Sequence, residues 1–145
     1  MSELGDGATD GTPPMSFVPT LRVLPHVLAV CRFAPDAPLP AWVLHASADF
    51  WCIMRTPHEL SVVCPEADLP PSVEQAEKPW RVFELQGPVP FTTTGVIAGL
   101  TAPLAAEGVP VFVLSTFDTD YLMVKERWFE KARAILAARF RVEDA

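Results

Sequence analysis

The chain has 145 residues, half of them apolar, and a formal net charge of −7. That length fits one ordinary domain or two small fused half-domains around a buried core. The acidic balance argues against a nucleic acid or an anionic membrane surface as a partner. The sequence contains no run near the roughly 18 apolar residues of a membrane span, and its first residues lack the basic segment of a secretory signal. We therefore expect a cytoplasmic protein with no nucleic-acid or membrane partner.

The distribution of proline and polar residues divides the chain into segments. Residues 1–15 are expected to form a disordered tail because they contain few apolar side chains. Residues 16–68 are predicted to form a first half, 69–79 a polar linker, and 80–145 a second half.

The first half contains three β-rich stretches. Residues 21–33 predict a strand that is interrupted near Pro25, and residues 50–55 and 60–64 predict two more. Between the last two, residues 56–59 (TPHE) have proline at a first helical position and capping-box spacing, which predicts a single helical turn.

The second half begins with alternating residues 80–85, which predict a strand. Hydroxyl-rich residues 92–94 predict the start of a helix that runs to Glu107, with Gly108 as its stop. The continuous apolar run at 110–115 predicts a central strand at 111–115, covered on both faces or on one face plus an interface.

A polar turn at 117–120 leads into a predicted antiparallel strand at 121–125. Residues 126–139 then have the spacing of an amphipathic helix that packs through Trp128, Ala132, Ile135 and Leu136. The predicted order β-α-β-β-α lacks one strand of the ferredoxin-like pattern, and the first half has strands to supply it. We therefore predict an α+β fold with helices on one face of one or two sheets.

Motifs for catalysis are missing from the sequence. It contains no G-x-S-x-G, H-E-x-x-H, C-x-x-C or phosphate-binding glycine loop. Cys31, Cys52 and Cys64 lie in apolar stretches, as reduced core thiols do. Asp118 and Asp120 are the nearest approach to a metal site, but acids in turns usually bond their own backbone. We expect no enzyme activity, no metal and no cofactor.

Two polar segments suggest a ligand site. The TTTG segment at 92–95 offers hydroxyls and helix N-terminal amides to an anion, although an ordinary N-cap explains it equally well. The STFDTD segment at 115–120 offers carboxylates to a cation, and an ordinary hairpin loop is the alternative. An anion site beside a cation site suits the zwitterion of a free amino acid.

Three segments resemble a known family. Residues 91–105 (FTTTGVIAGLTAPLA), 108–124 (GVPVFVLSTFDTDYLMV) and 50–65 (FWCIMRTPHELSVVCP) are similar to ACT domains of the CASTOR type. Such domains occur in small bacterial proteins and in cytosolic arginine sensors. The resemblance covers residues 20–138 and implies two tandem ferredoxin-like ACT halves without catalysis.

The resemblance also implies positions that contact a ligand. The arginine sensors have an acidic residue about where Ala98 stands, so the identity of the ligand stays open. We predict a small molecule, most simply an amino acid, and a homodimer. The alternative is an ACT-like assembly module with no ligand. The expected ligand-contacting residues are Ser61, Val62, Thr94, Gly95, Val96, Thr116, Phe117, Asp118 and Asp120.

Overall fold

A computed structural model describes residues 18–44 and 49–145, so the predicted tail at 1–15 lies outside the described residues. The order of elements is strand, helix, strand, strand, and this order then recurs with a further helix and strand. A 3₁₀ turn, Glu66–Asp68, follows the third strand. The strands and α-helices are β1 Thr20–Phe33, α1 Ala41–Leu44, β2 Cys52–Arg55, β3 Leu60–Pro65, β4 Ala76–Leu85, α2 Val96–Ala106, β5 Phe112–Ser115, β6 Asp120–Lys125, α3 Glu126–Ala137 and β7 Arg141–Asp144.

The strands of the described residues form one seven-stranded sheet. Six of them follow the order β2-β3-β1-β4-β6-β5, with antiparallel pairing throughout. Strand β7 pairs in parallel with the first residues of β1. The two predicted halves therefore share a single sheet, in which β1 joins β3 of the first half to β4 of the second. The α+β fold with an antiparallel sheet and the ferredoxin-like order of elements, both predicted from sequence, are confirmed.

The main core lies between the sheet and the helices α2 and α3. Alternate residues of β1 and β4, such as Leu21 and Phe83, point toward Leu100 of α2 and Phe129 of α3. Phe83 is fully buried, and its ring stacks on that of Phe129 with centroids 5.4 Å apart. The helix predicted at 126–139 is confirmed, since Ala132 and Leu136 are buried there and Trp128 and Ile135 pack against the same cluster.

The opposite face of the sheet carries a second apolar cluster. It contains Leu28 of β1, Trp80 and Val82 of β4 and Met123 of β6. A third cluster joins β1 and β3 to Val43 of α1. Because both faces of the central strands are apolar, these strands are buried on both sides.

The prediction of a central strand at 111–115 is wrong. Strand β5 lies at one edge of the sheet, where only β6 pairs with it. The physical reason is that a continuous apolar run indicates that both faces of a strand are buried. It does not indicate whether the strand has a hydrogen-bonded neighbour on each side. In β5, Phe112 and Leu114 face one cluster while Val113 faces the other.

Four local predictions also need correction. Residues 56–59 form a turn between β2 and β3 and no helical turn, because the Thr56 hydroxyl oxygen accepts the amides of His58 and Glu59. Helix α2 begins at Val96, and no side chain caps it. Strand β1 continues through Pro25, where its pairing with β4 is irregular. Strand β7 was not predicted, and β4 begins at Ala76, inside the predicted linker.

Strand β7 is attached to α3 by an ion pair whose strength depends on pH. Arg133 donates to both carboxylate oxygens of Asp144, at 2.9 and 3.3 Å. This contact holds the pKa of Asp144 below its ordinary value. A carboxyl whose pKa is lowered in the folded state stabilises that state above its ordinary pKa and loses this effect as pH falls through the folded pKa.

We expect the protection of β7 amides against hydrogen exchange, relative to the intrinsic rate at each pH, to fall as the pH drops below about 4, where carboxylates take up protons. Because the ion pair is exposed, the substitution Asp144→Asn should speed exchange in β7 at neutral pH by only a few-fold and remove most of the acid dependence of its protection. Asp36→Asn, an exposed loop acid, serves as the control and should leave β7 unchanged. Equal exchange rates in wild type and Asp144→Asn at neutral pH would contradict this prediction.

Candidate functional site

The hairpin turn between β5 and β6 is organised by its own polar side chains. The amide of Thr116 donates to the carbonyl of Thr119 at 2.8 Å, and the Thr119 amide donates to the Thr116 hydroxyl oxygen at 3.2 Å. The Ser115 hydroxyl donates to a carboxylate oxygen of Asp120 at 2.6 Å. These contacts orient Asp120 while leaving one of its carboxylate oxygens without a side-chain donor among the described residues.

The loop between β4 and α2 is attached to this turn. The Thr119 hydroxyl donates to the carbonyl of Leu85 at 2.6 Å, and the amide of Val89 donates to the carbonyl of Asp118 at 2.7 Å. Gly87 permits this close approach, because a Cβ there would lie 3.1 Å from the Asp118 carbonyl oxygen and 3.1 Å from the Thr119 Cβ. The loop and the turn therefore have a fixed relative position.

Helix α2 presents its N-terminus to the same region. Gly95 has φ 81°, the left-handed conformation that favours glycine, and it occupies the N-cap position. The first helical hydrogen bond runs from the Gly99 amide to the Gly95 carbonyl at 2.8 Å. The amides of Val96, Ile97 and Ala98 precede it, so they have no helical acceptors. Together with the helix dipole, these amides favour an anion.

Loop, helix start and turn enclose a cavity of about 350 Å³, which we call the turn cavity. This volume lies in the range of small-molecule sites. Its described lining contains two carboxylates, Asp118 and Asp120, and no lysine, arginine or histidine. The lining residues are Val89, Pro90, Phe91, Thr93, Gly95, Val96, Ile97, Ala98, Ser115, Thr116, Phe117, Asp118, Thr119 and Asp120.

Two aromatic rings stand at the mouth of the turn cavity. Phe91 and Phe117 are 75 % and 81 % exposed, and their rings meet edge to face with centroids 5.1 Å apart. Because the two rings are in contact, they form a continuous apolar patch, and exposed apolar patches can mark a ligand or partner contact. The rings add an apolar contact beside the two carboxylates.

The structure brings together most of the residues singled out by sequence. Gly95, Val96, Thr116, Phe117, Asp118 and Asp120 all line the turn cavity. Thr94 lies next to the cavity but does not line it, whereas Thr93 does. Ser61 and Val62 belong to β3 and lie elsewhere in the sheet, where Val62 is fully buried.

Sequence reasoning missed the loop residues Val89, Pro90 and Phe91, together with Ile97. The one available signal is Phe91 itself, an aromatic residue that stands between Pro90 and three threonines in a segment that is otherwise typical of a loop. The expectation of a hydroxyl N-cap was wrong, since Gly95 occupies the N-cap position and the threonines precede it.

Comparison with known proteins identifies both parts of the chain. A family model described as an ACT domain matches residues 75–138, and a model described as an N-terminal domain matches residues 27–72. The protein Atu0741 from Agobacterium tumefaciens has a solved structure that superposes with a TM-score of 0.80 and 32 % identity, covering 90 % of this chain and 96 % of that one.

Curated relatives carry a functional name. Subunit 1 of the cytosolic arginine sensor for mTORC1 is 29 % identical in Bos taurus over 84 % of this chain and 30 % identical in Mus musculus over 86 %. The chain spans 38 % of the length of these relatives.

A more distant structure extends the likeness in fold. The aspartate kinase of Clostridium acetobutylicum matches with a TM-score of 0.60 at 13 % identity, over 87 % of this chain and 36 % of that enzyme. At this identity the match concerns the fold alone. The ACT match over the second half and the agreement along nearly all of Atu0741 lead to one conclusion: the chain belongs to the ACT-domain family, with cytosolic arginine sensors among its relatives.

Proposed function

We propose that this chain is a non-catalytic regulatory module that binds a free amino acid in the turn cavity. The observation that carries the proposal is the pairing of helix N-terminal amides with two turn carboxylates around one cavity of about 350 Å³. The relatives named as arginine sensors make an amino acid the natural ligand class.

The charges of the cavity set the orientation of the ligand. The described lining contains no cationic side chain, so the α-carboxylate would accept hydrogen bonds from the amides at Val96, Ile97 and Ala98. The α-ammonium would donate to Asp120, whose carboxylate is already oriented by Ser115. The side chain of the ligand would then extend toward Asp118 and Phe117. This arrangement pairs every charge of the zwitterion.

We further propose that the chain is cytoplasmic and forms a homodimer. Within each chain, the two halves, residues 16–68 and 80–145, act together through the shared sheet. Among the described residues, no helix is long and apolar enough to cross a membrane. Strands β2 and β5 each have an open edge, and sheet proteins commonly cover such edges by pairing. A two-fold arrangement is the commonest way to do so.

The open edges also favour the second candidate, an assembly module that binds no ligand. The two candidates differ in one measurable property. A ligand that binds only the native state raises the melting temperature with its concentration. A thermal-shift screen of the twenty amino acids therefore supports the sensor if at least one of them raises the transition, and supports the assembly module if none does.

The substitution Asp120→Asn tests the site itself. It keeps the shape of the side chain and removes its charge, so the amino acid found in the screen should bind about ten-fold more weakly. Calorimetry of the wild type and the variant measures this change. Glu130→Gln, which removes an exposed charge from α3, is the matched control and should bind normally. Unchanged affinity in Asp120→Asn would remove Asp120 from the site and leave it a turn residue.

A further inference from the structure

A second cavity, of about 220 Å³, lies between the two edge regions of the sheet. One wall is the hairpin formed by β2 and β3, and the other is β5, which contributes Phe112 and Leu114. The two edges are not hydrogen-bonded to each other in the sheet order, so side chains from both enclose the space between them. We call this space the inter-edge cavity, and it shares no lining residue with the turn cavity.

The register of the hairpin gives this cavity a gradient of polarity. Cys52 pairs with Val63, and two residues along, Met54 pairs with Ser61. The next pair on the same face is Thr56 and Glu59, at the turn, where the Thr56 amide donates to the Glu59 carbonyl at 2.9 Å. Because alternate residues share one face of a strand, the cavity is apolar at one end and polar at the other.

The apolar end has the character of a protein interior. Phe112 and Leu114 of β5 face it, and they pack against the cluster that contains Val63. Partial burial raises the pKa of the Cys52 thiol, so the thiol stays protonated at neutral pH. Such a surface favours an apolar group and gives a charged one no stabilisation.

The polar end favours a cation. The Glu59 carboxylate is 43 % exposed, and its pairing with Arg32 is loose, with 3.7 Å between Oε2 and the Arg32 Nε. The Ser61 hydroxyl makes no side-chain hydrogen bond within the part of the chain that the structure describes. Lysine, arginine and histidine do not occur among the described lining residues. A carboxylate ligand would meet Glu59, whereas an ammonium group would be attracted by it.

We propose that the inter-edge cavity binds a small primary amine with a branched or cyclic apolar body. The body lies against Cys52, Val63 and Leu114, and the ammonium group donates to Glu59 and Ser61. At about 30 Å³ for each non-hydrogen atom, the cavity holds roughly seven such atoms. The proposal does not depend on the turn cavity, because the two sites use different residues.

Four probes test the proposal in NMR titrations. Three have nearly equal reach: 3-methylbutylamine, the neutral 3-methylbutanol and the anionic 3-methylbutanoate. The fourth, methylamine, has the charge without the body. We expect millimolar binding of 3-methylbutylamine, about ten-fold weaker binding of the alcohol, and no binding of the other two. Glu59→Gln should reduce amine binding to the level of the alcohol, while Glu130→Gln should not change it. Equal binding of amine and carboxylate, or amine binding that survives in Glu59→Gln, would overturn the proposal.

Cys52 provides a second readout at the apolar end. Cys31 and Cys64 are buried, whereas Cys52 is partly exposed. At mildly alkaline pH, where a fraction of the Cys52 thiol is ionised, we expect iodoacetamide to modify Cys52 first. Saturating 3-methylbutylamine should slow that reaction several-fold, while methylamine should not. A rate that the amine leaves unchanged would show that the apolar body lies elsewhere.

Discussion

Replacing Phe83 with alanine should destabilise the protein by ~3–5 kcal/mol, the cost of a large cavity in a core. Phe83 is fully buried at the centre of the sheet, and its ring stacks on Phe129 between the sheet and α3. Because α3 packs on the sheet through this contact, we expect the substitution to lower the stability of the whole second half. Urea unfolding followed by circular dichroism measures the free energy of unfolding.

Phe117→Ala is the matched control for this prediction. It removes the same side chain from a position that is 81 % exposed, so the free energy of unfolding should change by less than about 0.5 kcal/mol. Similar losses in the two variants would contradict the assignment of Phe83 to the core and of Phe117 to the surface.

Replacing Gly95 with valine should abolish binding at the turn cavity and also cost stability. An ordinary helical backbone at Gly95 would have made the substitution harmless to the fold. Gly95 instead has φ 81°, where a β-branched residue is strained by ~1–3 kcal/mol. A backbone that relieves this strain moves the amides of Val96 and Ile97, which we assign to the ligand carboxylate.

Gly108→Val separates the loss of binding from the loss of stability. Gly108 also has a left-handed backbone, with φ 71°, but a Cβ there meets nothing within 4 Å, and it lies at the other end of α2. The two variants should lose similar free energies of unfolding, whereas only Gly95→Val should fail to bind the amino acid in calorimetry. Normal binding by Gly95→Val would show that the helix start is not part of the site.

Periodicity predicted the elements whose burial follows a simple pattern. Helix α3 could be placed because Ala132, Ile135 and Leu136 recur at helical spacing and all contact the core. The position of β5 at the edge could not be predicted, since both of its faces contact apolar clusters and backbone pairing leaves no trace in composition. Strand β7 was missed because its four residues, Arg141–Asp144, carry three charges and pair only with the first residues of β1.

Part of the candidate site could be predicted from the chemistry of residues that are close in sequence. The turn around Asp118 and Asp120 and the glycine before α2 were singled out because turn acids can bind a cation and helix N-terminal amides can bind an anion, although an ordinary hairpin loop and an ordinary N-cap use the same residues. Their proximity depends on contacts between Thr119 and Leu85, which are 34 residues apart in the chain, and no short motif encodes such a contact. Phe91 was missed for the same reason. It lies in the loop between β4 and α2, whereas its neighbour Phe117 lies in the turn between β5 and β6.

The most direct test of the proposed site is an amide NMR titration of the wild-type protein with the amino acid that gives the largest thermal shift. If the ligand occupies the turn cavity, the perturbed amides should be concentrated in two segments, 95–98 at the start of α2 and 115–120 in the hairpin turn. The same titration of Asp120→Asn should require about ten-fold more ligand. Saturable binding that perturbs neither segment would contradict the assignment of the turn cavity as the amino-acid site.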